Sequence, residues 1–211
     1  MRLAVFASGG GSNFQAIIDA VGSGRLDLEI CLCVSNKEDA GAIERARKSG
    51  IPCLVEDPQS YSDQSEYESC LTDALASHGI DFIALAGYLR KIPSSVVNAF
   101  RHRMVNIHPA LLPAHGGAGM YGQRVHKAVL AAGEGFSGAT VHFVDEEYDT
   151  GAIILQDTVP VLPTDTPQAL AERVLDVEHR LYPAALSLLS HSRVVVQDHR
   201  VRILENTPIT Q

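Results

Sequence analysis

Asn106 and His108 flank Ile107 directly before Pro109, in the run Val105-Asn106-Ile107-His108-Pro109. Residues two apart in a strand project from the same face, so an amide and an imidazole stand side by side. An Asn amide donates to an oxygen that gains negative charge, and a neighbouring His moves a proton near neutral pH. The same pair would also serve as polar caps at a strand end, and spacing alone leaves both readings open. Downstream, Glu146-Glu147-Tyr148-Asp149-Thr150-Gly151 is an acidic turn between two apolar runs. A carboxylate of this turn set against His108 would favour the imidazolium and raise its pKa. Left in water, the turn is a solvated connection. His142, inside Val141-His142-Phe143-Val144, alternates with apolar neighbours and reads as a core histidine. No Ser or Cys stands obviously paired to a base, and the nine histidines form no short ligand cluster. Covalent acyl chemistry and a metal centre are therefore not indicated.

A second constellation is Ser8-Gly9-Gly10-Gly11-Ser12-Asn13, between an apolar run and an amphipathic segment. Glycines let a backbone approach a phosphate, and free amides at a helix N-terminus point towards it. Dinucleotide binding fits poorly. The third glycine of G-x-G-x-x-G would fall at Phe14, and Ser35-Asn36-Lys37 stand where an acidic residue belongs. A mononucleotide-sized phosphate suits the turn better, and a tight turn with Ser12 as helix cap is the plain alternative.

The elements that position these groups alternate. Leu3 to Ala7 reads as a strand, and Phe14, Ile17, Ile18 and Val21 recur with helical spacing up to Gly22 and Gly24. Strands follow at Leu28–Val34, Cys53–Val55 and Phe82–Leu85, separated by helices at Ala42–Lys48 and about Gln64–Ser77. This rhythm predicts a doubly wound, mostly parallel α/β sheet in one domain. Beyond it, Met104–Ile107 is a strand, Leu111–Gln123 a glycine-rich loop, and Val125–Ala132 a helix. Ala139–Val144 and Ile153–Val161 predict an antiparallel addition, covered by a long helix over Pro167–Ser190. Val194–Gln197 and Val201–Leu204 predict a terminal hairpin.

The composition bounds what such a site can serve. The 211 residues are 45% hydrophobic and 20% charged, an ordinary globular mixture with enough chain to bury a core unaided. The 17 basic against 25 acidic residues leave a charge of −8, which argues against nucleic acid as a partner. Any anionic ligand must be held by local features. No apolar run approaches the roughly 18 residues of a membrane span, and Leu3–Ala7 is too short for a signal-peptide core. Cys31, Cys33, Cys53 and Cys70 are irregularly spaced and read as buried, reduced thiols of a cytoplasmic protein. Nothing in the sequence specifies a monomer or a homodimer.

Taken together, five segments resemble the folate-dependent phosphoribosylglycinamide (GAR) formyltransferases of purine synthesis. They are Leu3 to Ile17 with its glycine turn, Leu85-Ala86-Gly87-Tyr88-Leu89-Arg90, and Val105 to Pro113. Val141-His142-Phe143-Val144 leading to Asp149-Thr150-Gly151, and Glu178-His179-Arg180-Leu181-Tyr182-Pro183, complete the set in family order. The resemblance covers about residues 3 to 190. It implies the formyltransferase fold, Rossmann-like in its N-terminal half, as a single domain over residues 1–211. The half to about residue 100 would bind phosphate, and the rest would carry catalysis and folate.

The resemblance further implies transfer of a formyl group from 10-formyltetrahydrofolate, a co-substrate, to the amine of GAR, with no metal. Gly11, Ser12 and Asn13 match the loop that cradles the GAR phosphate, and Glu178 the residue that holds its ribose. Leu89, Arg90, Lys91 and Ile92 match the wall that receives the pterin, helped by Val97 and the loop from Val144 to Asp149. Asn106 would stabilise an oxyanion on the formyl oxygen, His108 would donate a proton, and Asp149 would tune His108.

Two features depart from the family pattern. The loop Ala114 to Gly122, with four glycines, is longer than in many members and suggests a mobile flap on the substrate side. Gln64 stands where a basic residue often meets the folate glutamate tail, so that contact is not carried over. Formyl-folate deformylases resemble the centre but add a regulatory domain before it. Methionyl-tRNA formyltransferases add a C-terminal domain and a basic surface. The chain's length and acidity favour the GAR enzymes.

Overall fold

The computed structural model describes residues 1–205. The first strand alternates between two cores, because a period of two sends neighbours to opposite faces. Within β1 (Arg2–Phe6), Leu3 and Val5 enter one core while Ala4 and Phe6 enter the other. The first core is covered by α1 (Ser12–Gly22), α2 (Gly41–Lys48), α5 (Gln123–Ala131) and α6 (Pro167–Ser190). The second is covered by α3 (Gln64–Ser77) and α4 (Ser94–Ala99), through Tyr67, Leu71, Leu75, Val96 and Val97. Helices on both faces are what a parallel sheet requires.

The strands are completed by β2 (Glu29–Ser35), β3 (Cys53–Val55), β4 (Phe82–Leu85), β5 (Met104–His108), β6 (Phe136–Phe143) and β7 (Ile153–Pro160). Their order across the seven-stranded sheet is β3-β2-β1-β4-β5-β6-β7. The pairs from β3 through β5 are parallel, and β5–β6 and β6–β7 are antiparallel, as the sequence predicts. Strand order reverses between β1 and β4, where the carboxyl ends of an open α/β sheet leave a crevice for ligand. The glycine turn leaves β1 there, and Asn106 and His108 end β5 beside it. The terminal hairpin, β8 (Val194–Gln197) and β9 (Arg200–Ile203), forms its own two-stranded sheet.

Three details differ from the sequence reading. Helix α4 was not anticipated, since six residues after Pro93 are too few to show a period. Strand β6 starts at Phe136, three residues early, and runs through Gly138. A Cβ there would stand 2.0 Å from the Asp157 carbonyl oxygen, so that glycine marks a close approach of two strands rather than a break. Cys31 and Cys33 are buried as expected, but Cys53 and Cys70 are only half-buried; all four are free thiols. No helix among the described residues is long and apolar enough to cross a membrane.

Candidate active site

The glycine turn is built as an open cradle. Gly11, at φ +70°, precedes Ser12 as the helix cap residue, and no side chain caps α1. Ser12 is therefore not the cap. A Cβ on Gly11 would lie 2.8 Å from the Ala42 Cα, so α2 packs too closely for any other residue. Gln15 N–H donates to the Gly11 carbonyl, and the amides of Gly10 to Asn13 make no hydrogen bond among the described residues. They line a cavity of about 590 Å³.

Helix α6 closes the other side of this cradle. The Asn13 amide donates to the Glu178 carboxyl at 2.5 Å. One turn on, the buried Tyr182 hydroxyl sits against the carbonyls of Leu85 (3.0 Å) and Val105 (3.3 Å), which anchors the helix on the strand ends. Burial pushes the Glu178 carboxyl up to about 7, with the Asn13 bond opposing it.

The register of β5 and β6 makes the polar centre. Asn106 pairs directly across from His142, and cross-strand partners lie close enough for side chains to touch. His142 Nδ1 donates to the Phe143 carbonyl at 2.7 Å, which leaves Nε2 to accept from Asn106 Nδ2 at 3.2 Å. The same Nδ2 reaches Asp149 Oδ1 at 3.4 Å. His142 is thus a satisfied buried histidine, as its sequence context suggests, and also a member of the site. Its membership was missed because only strand register reveals it.

Asp149, at φ +58°, projects from the acidic turn into the middle of the centre. Its Oδ2 lies 3.5 Å from His108 Nδ1 and accepts from Gly117 N–H at 2.9 Å. Burial alone would raise this carboxyl. Against burial, the positive charge available at His108 and the Gly117 amide help hold it below the usual range. The carboxylate does approach His108 and does push its pKa up, as expected. The net direction is nevertheless downward, because burial of the imidazole costs more than Asp149 and the His115 carbonyl return.

The long loop after Pro113 is tied to this centre. The His115 carbonyl accepts from His108 Nε2 at 2.9 Å, and the His115 ring meets Glu134 at 2.9 Å. Gly117, Met120 and Tyr121 line the large cavity, so the loop expected as a flap lies against that cavity.

A smaller hollow adjoins the large cavity. Arg90, Lys91, Ile92, Val97 and Val144 line it, whereas Leu89 lines the large cavity and is half exposed. Tyr88, Asn106, Tyr148 and Asp149 line both spaces. Arg90 is engaged by Asp57 (3.2 Å) and Gln59 (2.8 Å), and Lys91 lies over the Tyr148 ring. Gln64, at the start of α3, lines neither space. Ser8, missed from sequence, couples the two sides. Its hydroxyl donates to Asn36 Oδ1 and accepts from Leu89 N–H at 2.8 Å, tying the glycine turn to the segment after β4.

Two spaces sharing one polar partition, with an amide cradle at the far end, suit an α/β enzyme that passes a small group between two bound molecules. The family described as formyl transferase matches residues 1–186, and the chain belongs to it. Over 207 residues it is 48% identical to the chloroplastic phosphoribosylglycinamide formyltransferase of Arabidopsis thaliana, covering 97% of this chain and 70% of that protein. Its likeness to the corresponding protein of Vigna unguiculata is 46% over 206 residues, covering 97% of this chain and 66% of that one. The crystal structure of glycinamide ribonucleotide transformylase 1 from Symbiobacterium toebii superposes with a TM-score of 0.91 at 40% identity. That match covers 97% of this chain and 94% of that chain.

Proposed function

We infer that this enzyme transfers the formyl group of 10-formyltetrahydrofolate to the amine of GAR, giving N-formyl-GAR and tetrahydrofolate in purine synthesis. The observation that carries this reading is the partition: Asn106 and Asp149 face both the cavity that ends in the amide cradle and the adjoining hollow. GAR would lie with its phosphate on Gly11, Ser12 and Asn13 and its ribose by Glu178. The pterin would enter the hollow walled by Arg90, Lys91, Ile92, Val97 and Val144, with Leu89 at its mouth. The apolar side chains there suit a flat ring, and the segment's backbone groups suit its polar edge.

The GAR amine then attacks the formyl carbon directly, and the carbonyl oxygen becomes an oxyanion. Asn106 Nδ2, held by His142 Nε2, turns its second N–H from the long Asp149 contact (3.4 Å) to that oxygen. The growing negative charge beside His108 favours its protonated form, so the ring stabilises the intermediate and passes a proton onward. Collapse breaks the bond from the formyl carbon to the folate nitrogen. That nitrogen gains a proton and the attacking amine loses one, so His108 and Asp149 need only relay. Holding both substrates supplies much of the rate, and no enzyme nucleophile is required.

The four free thiols support a reducing compartment, which in this reading is the cytoplasm. Tetrahydrofolate formation from 10-formyltetrahydrofolate, followed with and without GAR, tests it. Release that depends on GAR is expected. Release without GAR would indicate a deformylase, and no release would leave a ligand-binding module.

A further inference from the structure

Arg45, half-buried on α2, lies outside both cavities, yet its guanidinium reaches over the glycine turn. Nε donates to the Gly10 carbonyl at 2.8 Å, and Nη1 donates to Gln15 Oε1 at 2.8 Å. It grips the chain once before Gly11 and once in the first turn of α1. Next to it, Ala42 N–H donates to the Gly9 carbonyl at 3.1 Å. These peptides are trans, and in a planar trans peptide the C=O and N–H point opposite ways. Holding the Gly9 and Gly10 carbonyls against α2 therefore turns the Gly10 and Gly11 N–H groups away from α2, towards the cavity both residues line. Gly41 permits this approach, since a Cβ there would stand 3.0 Å from the Gly10 oxygen.

We propose that Arg45 is a positioning residue for anion binding: its two-point clamp on Gly10 and Gln15 aims the amides of the glycine turn at the substrate phosphate. The proposal rests on the assignment of that turn to the GAR phosphate. Without the clamp, the flexible Gly10–Gly11 peptide is free to rotate and present its carbonyl oxygen, the repulsive end, to the anion. A fixed cation behind the amides also offsets, locally, the −8 charge of the whole chain.

The test compares kcat/KM for GAR with that for glycinamide riboside, the same molecule without its phosphate. Wild type is expected to prefer GAR strongly. Arg45→Met should lower kcat/KM for GAR at least tenfold, through KM, and leave the riboside within threefold. Arg45→Lys keeps the charge but not the planar fork, and should recover less than a third of the lost preference. Equal losses on both substrates, full rescue by lysine, or an undiminished preference in Arg45→Met would each overturn the proposal. If wild type shows no preference, the phosphate assignment falls and the proposal with it. If wild type prefers GAR and Arg45→Met keeps that preference undiminished, the clamp alone is wrong. Should Arg45→Met fail to fold, Gln15→Ala removes one leg of the clamp. It should cut the preference at least threefold, and an unchanged preference would overturn the proposal.

Discussion

His108 Nε2 donates to the backbone carbonyl of His115 at 2.9 Å, so a loop outside the sheet holds the ring that ends β5. The opposite nitrogen faces Asp149 at 3.5 Å. Two acceptors flank one imidazole, which is an arrangement that waits for a second proton. Burial withholds that proton until negative charge develops nearby. The loop holds the carboxylate as well, through Gly117 N–H. Glycine at 117 is required because φ there is +98°.

Gly117→Ala should therefore disturb catalysis rather than binding. A side chain in this backbone region costs about 1–2 kcal/mol, and relief of that strain would pull the amide from Asp149. We expect kcat to fall by about five- to thirtyfold, with KM for GAR changed less than threefold. Steady-state kinetics on both substrates checks this, and a change confined to KM would contradict it.

Asp149→Asn isolates the electrostatic part. Asp149 raises the His108 pKa while burial lowers it, so removing the carboxylate leaves burial less opposed. The acidic limb of the pH profile of kcat/KM should move to lower pH, together with a loss of rate. A profile that keeps its wild-type limb would show that His108 and Asp149 are not coupled.

Much of this centre was legible before any coordinates. Asn106 and His108 share a strand face by the period of two, and the glycine turn announces itself by composition. The βα rhythm likewise fixes the parallel half, because short links leave few alternatives. The Asn106–His142 pair was not legible, since facing residues depend on register between strands joined by a long loop and a helix. The direction of the His108 shift was misread for a related reason. A sequence shows which charges are available but not how deeply the ring is buried. Helix α4 and the Ser8 latch escaped because each depends on a few residues meeting partners far along the chain.

His142 gives a direct test of register as a carrier of function. Its Nε2 accepts from Asn106 Nδ2 and so fixes the orientation of the amide, which in the proposed reaction meets the formyl oxygen. Asn106→Ala removes the donor outright and should lower kcat by about 10²- to 10³-fold. His142→Ala leaves the donor but frees its orientation, so kcat should fall by about tenfold, less than in Asn106→Ala. In the double variant the losses should combine less than multiplicatively, because His142 acts through Asn106. Fully multiplicative losses would mean that the two residues act separately.

Glu178 predicts a pH dependence of stability. Burial raises its pKa from an ordinary 4.5 to about 7 in the folded chain. Below about 4.5 the carboxyl is protonated both folded and unfolded, and it adds no pH-dependent term. Between about 4.5 and 7 the unfolded chain ionises while the folded one does not, so stability falls as pH rises. Above about 7 both states are ionised and the loss levels off at about 3 kcal/mol. Glu178→Gln keeps a hydrogen-bonding partner for Asn13 without the charge, so this loss should disappear. In ligand-free protein, the gain in Tm of Glu178→Gln over wild type should widen from pH 4.5 to pH 7 and then stay level. The variant should also bind GAR more weakly, since a carboxylate is the better acceptor for ribose hydroxyls. A Tm difference that stays constant from pH 4.5 to pH 8 would mean that Glu178 is already ionised in the folded chain.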